Sequence, residues 1–269
     1  MKPNAIKSLS IQIRLSGLSF CILNRSSHTI EHLSHVAFEK KSTPFELLNK
    51  LKATIEGNSI FNQEFDSILC IHQNELSTLV PQALFDENQL ANYLKFNAKI
   101  LKTDFISYDS ISSNESVSVY VPWVNINNYL FDTLGSFVYK HASTILIDTV
   151  LQYSSEEKDN SLYINVDAFH FEIIAVKASQ VLLYNSFDYN TPEDFIYYIL
   201  FSIEQLKMNP ETVKVFLSGA ISEEDSLYKI LYKYVRFVEF IKPKYRYRFD
   251  TNQNPESEHS DFLILNSFN

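Results

Sequence analysis

From Leu9 to Leu23 the chain reads LSIQIRLSGLSFCIL, with Leu9, Ile11 and Ile13 alternating with Ser10, Gln12 and Arg14. Alternation with period two marks a strand with one face buried. The pattern pauses at Ser16-Gly17 and resumes through Phe20 and Ile22, as a hairpin does. A third strand, TIEHLSHVAF, comes after the turn NRSSH. The same text is written again from Leu162 to Val176, LYINVDAFHFEIIAV, which pauses near Phe169-His170 and leads into VLLYNSFDY. Each copy predicts a three-stranded antiparallel meander.

The segments after the two meanders match as well. The first continues STPFELLNKLKATIEG and the second NTPEDFIYYILFSIEQLK. Both open Thr-Pro with an acid three residues after the threonine: Thr43-Pro44 with Glu46, and Thr191-Pro192 with Asp194. That is a capping box with proline in the first helical turn, where its missing N–H is no loss. Phe195, Ile199, Ile203 and Leu206 then recur at helical spacing. Each helix leads to a strand, FDSILCIHQ or TVKVFLSGA, and each strand to a further helix, expected near Asp86 in the first half and at Ser222 in the second.

Three strands, helix, strand, helix, twice over, is the order of an α/β fold with mixed sheets. In it, duplicated ribonuclease-H-like halves form an actin-like ATPase bilobe. The first half is expected over 1–153 and the second over 161–269, with the polar stretch 154–160, SSEEKDN, as linker. DFISYDSI and VSVYVPWV read as a strand pair completing the first half, and NINNYLFDTLGSF as a connecting helix. HASTILIDTVL fits helix or strand; TNQNPESEHSD reads as disordered, and FLILNSF as a short strand or docking segment.

Composition narrows the function. Hydrophobic residues at 45% and charged residues at 20% are those of a globular protein. The longest apolar run, Phe195 to Ile203, is too short to span a bilayer, and MKPNAIKSLSIQIR lacks the apolar core of a signal peptide. Cys21 and Cys70 lie in strand-like stretches and read as buried thiols. A cytoplasmic protein without membrane contact is expected. A net charge of −9 argues against general nucleic-acid binding. Glycine is scarce, at four residues: Gly17, Gly57, Gly135 and Gly219. Phosphate-cradling loops draw on several.

The stretches LVPQALFDENQLANYLKFN, VYVPWVNINNYLFDTLGSFVYKHAST and EDFIYYILFSIEQLKMNPE resemble the uncharacterised Bacteroidota proteins grouped as domain of unknown function 3822. The resemblance runs over nearly the whole chain. It implies an actin-like fold and supplies no substrate, reaction or catalytic residue.

Actin-like ATPases carry, in the first hairpin of each half, an Asp followed by glycines; the Asp holds the metal through water and the glycines let the backbone reach phosphate. Here the first hairpin reads IRLSGLS, with Leu15 where the acid belongs and Gly17 kept. The second reads NVDAFHFEI: Asp167 is in place, but Ala168, Phe169 and His170 replace the glycines. The adenosine-side loop, FLSGAISEED, keeps Gly219 beside Ala220, and Glu223, Glu224 and Asp225 repel phosphate at the next helix start. Asp167 is either a metal ligand or an ordinary turn carboxylate; Gly17 and Gly219 either keep nucleotide contact or serve tight turns. A nuclease centre would need more converging carboxylates than Asp167 and Glu172, which alternation sets on different faces. The seven histidines are scattered, without paired cysteines for zinc.

The expected function is therefore a pseudo-ATPase acting as an interaction or scaffold module, with no catalytic residue, no metal and no cofactor. The alternative is an ATP-binding regulatory switch with Mg·ATP at Gly17, Asp167 and Gly219. An unknown protein partner is expected, and nucleic acid is not. In IKPKYRYRFD, Lys242, Lys244, Arg246 and Arg248 alternate with Tyr245, Tyr247 and Phe249. On a strand these make a basic face and an aromatic face. The cations either dock an acidic partner or guard a sheet edge.

Overall fold

The computed structural model describes residues 6–154 and 159–268. Strands β1 (Lys7–Arg14), β2 (Gly17–Asn24) and β3 (Thr29–Ala37) form the first meander, followed by α1 (Pro44–Glu56) and β4 (Ser67–Gln73). Next come β5 (Ser77–Pro81), α2 (Leu90–Leu94), β6 (Ser107–Ile111) and β7 (Ser116–Tyr120). Helix α3 (Val124–Leu134), β8 (Val138–His141) and α4 (Ala142–Tyr153) close this part. The second meander is β9 (Ser161–Val166), β10 (His170–Lys177) and β11 (Gln180–Asp188). It continues through α5 (Pro192–Gln205), β12 (Lys214–Gly219), α6 (Ser226–Tyr234) and β13 (Phe237–Phe240). The chain ends in β14 (Arg248–Phe249) and α7 (Phe262–Leu265). Of the expected linker 154–160, residues 155–158 lie outside the described residues.

The repeat holds in the order of five strands in each main sheet. The first sheet runs β14-β3-β2-β1-β4-β8 and the second β11-β10-β9-β12-β13. In both, the first meander strand pairs in parallel with the strand after the helix, which pairs in parallel with one more. Both capping boxes form. Thr43 Oγ1 accepts from the Glu46 amide while Glu46 accepts from the Thr43 amide at 2.8 Å. Thr191 and Asp194 repeat the exchange at 3.1 Å.

The element pairing differs from expectation in one place. Near Asp86 there is only a 3-10 turn and the five-residue α2. The counterpart of α6 is α3, which enters the parallel strand β8 as α6 enters β13. Residues 75–121 are thus an insertion in the first half. Strands β6 and β7 do pair, but with β5 in a separate sheet ordered β5-β7-β6. The first sheet has no room for them, because β8 takes the free side of β4. The insertion has its own small core of Val80, Leu94, Val117, Val119 and Val121.

HASTILIDTVL is the helix α4, capped by His141 Nδ1, which accepts from the Ser143 amide. Its period is hidden in the sequence because nearly the whole circumference is buried. Ile145, Leu146, Ile147 and Val150 pack against Ile71 of the first sheet and Tyr163, Ile174 and Val176 of the second. Each half keeps a core of its own, and α4 is the apolar seam between them.

The segment after β13 is held in place as far as Phe268. After β13 it returns to the first half, where β14 pairs with the edge of β3. Leu33 N donates to Gln253 Oε1 at 2.8 Å, and Gly219 N to the His259 carbonyl at 2.8 Å. FLILNSF is a short helix and a 3-10 turn rather than a strand, with Phe262, Leu263, Ile264 and Leu265 all buried. The tail whose composition suggests disorder is instead held by contacts to both halves.

The two caps make an internal control. Thr191→Ala is expected to cost about 1 kcal/mol, and Thr43→Ala a similar amount, each read from the urea midpoint of the full chain.

Candidate functional site

The ends of the two hairpins face each other between the halves. Strand β9 stops at Val166, so Asp167 lies beyond the pleat and is freed from its alternation. Its Oδ1 accepts from its neighbour Ala168 N at 2.7 Å. Its Oδ2 turns to the first half, where Ser16 Oγ donates at 2.5 Å and Arg14 Nε lies at 3.3 Å. The Nε–H of Arg14 is buried without an aligned acceptor, so the Arg14 contact is Coulombic rather than a hydrogen bond.

Glu172 is 2% exposed and accepts from Gln73 Nε2 at 2.5 Å and Asn165 Nδ2 at 3.0 Å. Gln73 in turn accepts from Gln12 Nε2 at 2.6 Å, and Asn165 from Ser218 Oγ at 3.1 Å. The chain of amides and carboxylates therefore crosses from β1 and β4 to β9, β10 and β12. His170 sits between the two acids, with Nδ1 3.5 Å from Asp167 Oδ2 and Nε2 3.3 Å from Glu172 Oε1. The expectation that Asp167 and Glu172 lie on different faces is corrected here: one imidazole touches both.

Burial raises the pKa of both carboxyls, but the surrounding charges and donors outweigh it. Arg14, His170 and Ser16 hold Asp167 below its ordinary value, and His170, Gln73 and Asn165 do the same for Glu172. Burial pushes His170 down, and Glu172 and Asp167 more than reverse it, leaving it raised. The site thus favours the charged form of each group: the two carboxylates, and the imidazole that lies between them beside Arg14.

The two glycines have backbone reasons. A Cβ on Gly17 would stand 2.6 Å from the Val36 carbonyl oxygen, where β2 meets β3. Gly219 has φ +87°, and a Cβ there would stand 2.1 Å from the Val166 carbonyl oxygen. The Gly219 and Ala220 amides already donate, to His259 O and Val166 O, both at 2.8 Å. Leu15, in place of the acid, packs against the first-half core.

Asp167 and Gly219 line one cavity of about 50 Å³, with Gln12, Arg14, Asn165 and, from the returning chain end, Leu263. Gly17 does not line it, but it succeeds Ser16, which binds Asp167. That volume holds a few waters, whereas sites for larger ligands run to roughly 300–1,000 Å³. The chain end closes one wall. His259 stacks on Phe240 with centroids 4.2 Å apart and meets Ile221 O through Nε2, and Asp261 meets His35 Nε2 at 2.9 Å. Among the described residues no group of three His, Cys, Asp or Glu is arranged for a metal. His72 and His141 are core histidines, held by burial at about 4, with partners Asn127 and the Asn74 carbonyl.

The basic stripe lies elsewhere, along the edge of the first sheet. Only Arg248–Phe249 is strand; Lys242, Lys244 and Arg246 precede it in irregular backbone around Pro243. The four cations are exposed, while Tyr245, Tyr247 and Phe249 pack against the cluster of Leu33, Ile264 and Leu265. The aromatic face is turned inward, so it offers no open platform for bases. Sequence reasoning misses Arg14 and the chain end as parts of the site. Arg14 stands one residue from the expected acid position, but only the tertiary fold brings it to Asp167.

Known proteins share this architecture. The family described as "Protein of unknown function (DUF3822)" matches residues 2–238. No curated protein matches this chain by sequence. A Bacteroides thetaiotaomicron protein described as having an actin-like ATPase fold and unknown function superposes with a TM-score of 0.76 at 23% identity, over 88% of this chain and 91% of that one. The PilM-PilN type IV pilus biogenesis complex contains a chain that superposes with a TM-score of 0.57 at 11% identity, over 96% of this chain and 94% of that one. The chain therefore has the actin-like ATPase fold.

Two predictions come from this geometry. Gly219→Ala meets both positive φ and a backbone oxygen, and is expected to destabilise by at least about 2 kcal/mol in urea titration. The ion cluster predicts a bell in stability. The lowered Asp167 and Glu172 contribute above their ordinary values of 3.8 and 4.5 and are lost as pH falls through their folded pKa values. The raised His170 contributes fully below 6.5 and is lost as pH rises through its folded value. The drop in thermal midpoint caused by His170→Gln is therefore expected to be largest between about 4.5 and 6.5, and to shrink on both sides.

Proposed function

The chain belongs to the DUF3822 family of proteins of unknown function, and on that premise we propose that it is a pseudo-ATPase, an interaction or scaffold module that keeps the fold without the chemistry. One observation carries this reading: Asp167, the acid that would hold a hydrated metal, is bonded by Ser16 and faces the Arg14 guanidinium at 3.3 Å. A cation at that distance does there what the metal would do, and repels the metal itself.

Two further features support it. The Gly219 amide, on the adenosine side, is taken by the His259 carbonyl, and the cavity between the hairpins is about 50 Å³. On this reading Gly17, Asp167 and Gly219 are vestiges of a nucleotide site, now part of the joint between halves with proposed bounds 1–153 and 161–269. The exposed Lys242, Lys244, Arg246 and Arg248 then serve an acidic protein partner in the cytoplasm, on a chain of net charge −9. No described helix is long and apolar enough to cross a membrane.

A thermal-shift titration of the full chain with Mg·ATP tests the reading. A ligand at a hundred times its Kd stabilises by about 2.7 kcal/mol, roughly 5 °C or more for a chain of this size. An unchanged midpoint is expected. A rise of that size, abolished by Asp167→Ala, would establish the ATP-binding switch instead.

A further inference from the structure

The insertion between β4 and α3 has no counterpart in the second half, where β12 passes directly to α6. It is not needed to complete the repeated fold. Its sheet is ordered β5-β7-β6, so among the described residues no strand is hydrogen-bonded to the other side of β5, which β11 approaches to within 8 Å, Cα to Cα. The ladder shows which backbone groups lie on that side. Val121 N donates to Leu76 O and Gln82 N to Glu115 O, so the pairs Leu76–Val121 and Gln82–Glu115 are hydrogen-bonded. Alternation then gives the inward bonds to Thr78 and Val80 and turns the amide and carbonyl of Ser77 and of Leu79 outward.

The strand across from this edge is protected differently. Strand β11 is the outer strand of the second sheet, and side chains cover two of its amides: Val181 N donates to Asn114 Oδ1 at 3.2 Å, and Ser186 N to Asn185 Oδ1 at 2.9 Å. Edges are commonly blunted in this way. On β5 only the terminal Pro81 does so. Between the two strands runs a groove of about 820 Å³, lined by Ser77, Thr78, Lys99, Leu183 and Tyr184 among others, with a second of about 420 Å³ beside Thr78 to Pro81.

The wall of the groove has its own chemistry. The segment KFNAKILKTDF, 95–105, supplies Asn97, Ala98 and Lys99 to the lining. It also exposes Phe96 by 82%, Leu101 by 63% and Phe105 by 55%. Within this segment Lys95, Lys99 and Lys102 are exposed beside one acid, Asp104, which accepts from Leu101 N, while Glu75 lines the larger groove and Glu115 the smaller. On a chain of net charge −9 this is a local surplus of positive charge interleaved with apolar side chains.

We propose that the outer edge of β5 is a docking site for an extended, acidic peptide segment of a partner protein, which adds a strand to the β5-β7-β6 sheet. The peptide bonds the outward groups of Ser77 and Leu79, its carboxylates meet Lys99 and Lys102, and its apolar side chains lie on the Phe96–Leu101 wall. Recognition of this kind takes affinity from the main chain and specificity from alternate side chains. This docking site rests on the interaction-module reading above and names its partner class, yet the two fail separately, since nucleotide in the interlobe cavity would leave this groove untouched.

The test pans a displayed library of random peptides, roughly twelve residues long, against the full chain and titrates the enriched peptide by fluorescence anisotropy. Acid-rich sequences alternating with apolar residues are expected. Ser77→Pro removes one outward N–H at the first residue of a strand, where proline is tolerated, and should weaken binding at least about tenfold. The exposed pair Lys99→Glu/Lys102→Glu should do the same without touching the fold. On binding, the Ser77 and Leu79 amides should gain hydrogen-exchange protection while Thr78 and Val80 stay unchanged. Failure to enrich any peptide, enrichment of basic ones, or affinity indifferent to both variants would overturn the proposal. So would sedimentation of the protein with phosphatidylserine vesicles that Phe96→Ser abolishes, which would make lipid the occupant of this surface.

Discussion

Asp167 and Glu172 are carboxylates placed where water scarcely reaches, and a charge in that position has to be neutralised by the protein itself. The partners come from both halves. Arg14 and Ser16 from β1 and its turn meet Asp167; Gln73 from β4 meets Glu172; His170 spans the two acids. Removing a partner of such a pair leaves an uncompensated buried charge, whose penalty exceeds the net worth of the intact pair. The cluster is thus a condition on geometry: each of the two carboxylates has partners from both halves. The apolar seam around α4 supplies the attraction, and the cluster sets the register.

That division explains which parts are legible in the residues. The meanders, the Thr-Pro caps and the strands after them are written in local chemistry, since period two, period 3.6 and a capping box each need only neighbours in sequence. The scarcity of glycine is legible too, though only packing shows why Gly17 and Gly219 remain: the Val36 and Val166 carbonyls stand where their Cβ atoms would be. Illegible are the features that depend on what folds back. Nothing within ten residues of Arg14 announces Asp167. Helix α4 hides its period by being buried nearly all round, and the polar TNQNPESEHSD looks disordered until Leu33, Gly219 and His35 are seen to hold it. The insertion escapes a local reading for a related reason: its strands have ordinary patterns, and only the prior claim of β8 on β4 excludes them from the first sheet.

The returning chain end completes the joint by different means. Phe262 and Leu263 enter the seam between the halves, whereas Ile264 and Leu265 pack with Cys21, Leu23 and Ile30 of the first half. Burying a side chain of that size is worth roughly 1.5–3 kcal/mol, so four together rival the whole stability of an ordinary domain before chain entropy is counted. The tail is an internal staple, and its last polar residues close the cavity that the hairpins leave. Its course also accounts for the alternation in IKPKYRYRFD. Aromatics face inward to Leu33 and Leu265, and cations face outward along an edge that would otherwise invite pairing.

Duplication makes two halves equal, and what distinguishes them afterwards is where function has room to lie. The first hairpin contributes Arg14 and the Ser16 hydroxyl, and the second contributes Asp167, His170 and Glu172, so the facing hairpins are bonded to each other. Such a joint resists opening because each side is the other's ligand. The remaining asymmetry is the insertion at 75–121, whose sheet keeps an open edge and whose loop holds large apolar side chains in water. Exposure of that kind opposes solubility unless something covers it. In this molecule the facing hairpins bond each other, while the insertion presents an outer strand and the exposed Phe96, Leu101 and Phe105 on the flank of the first half.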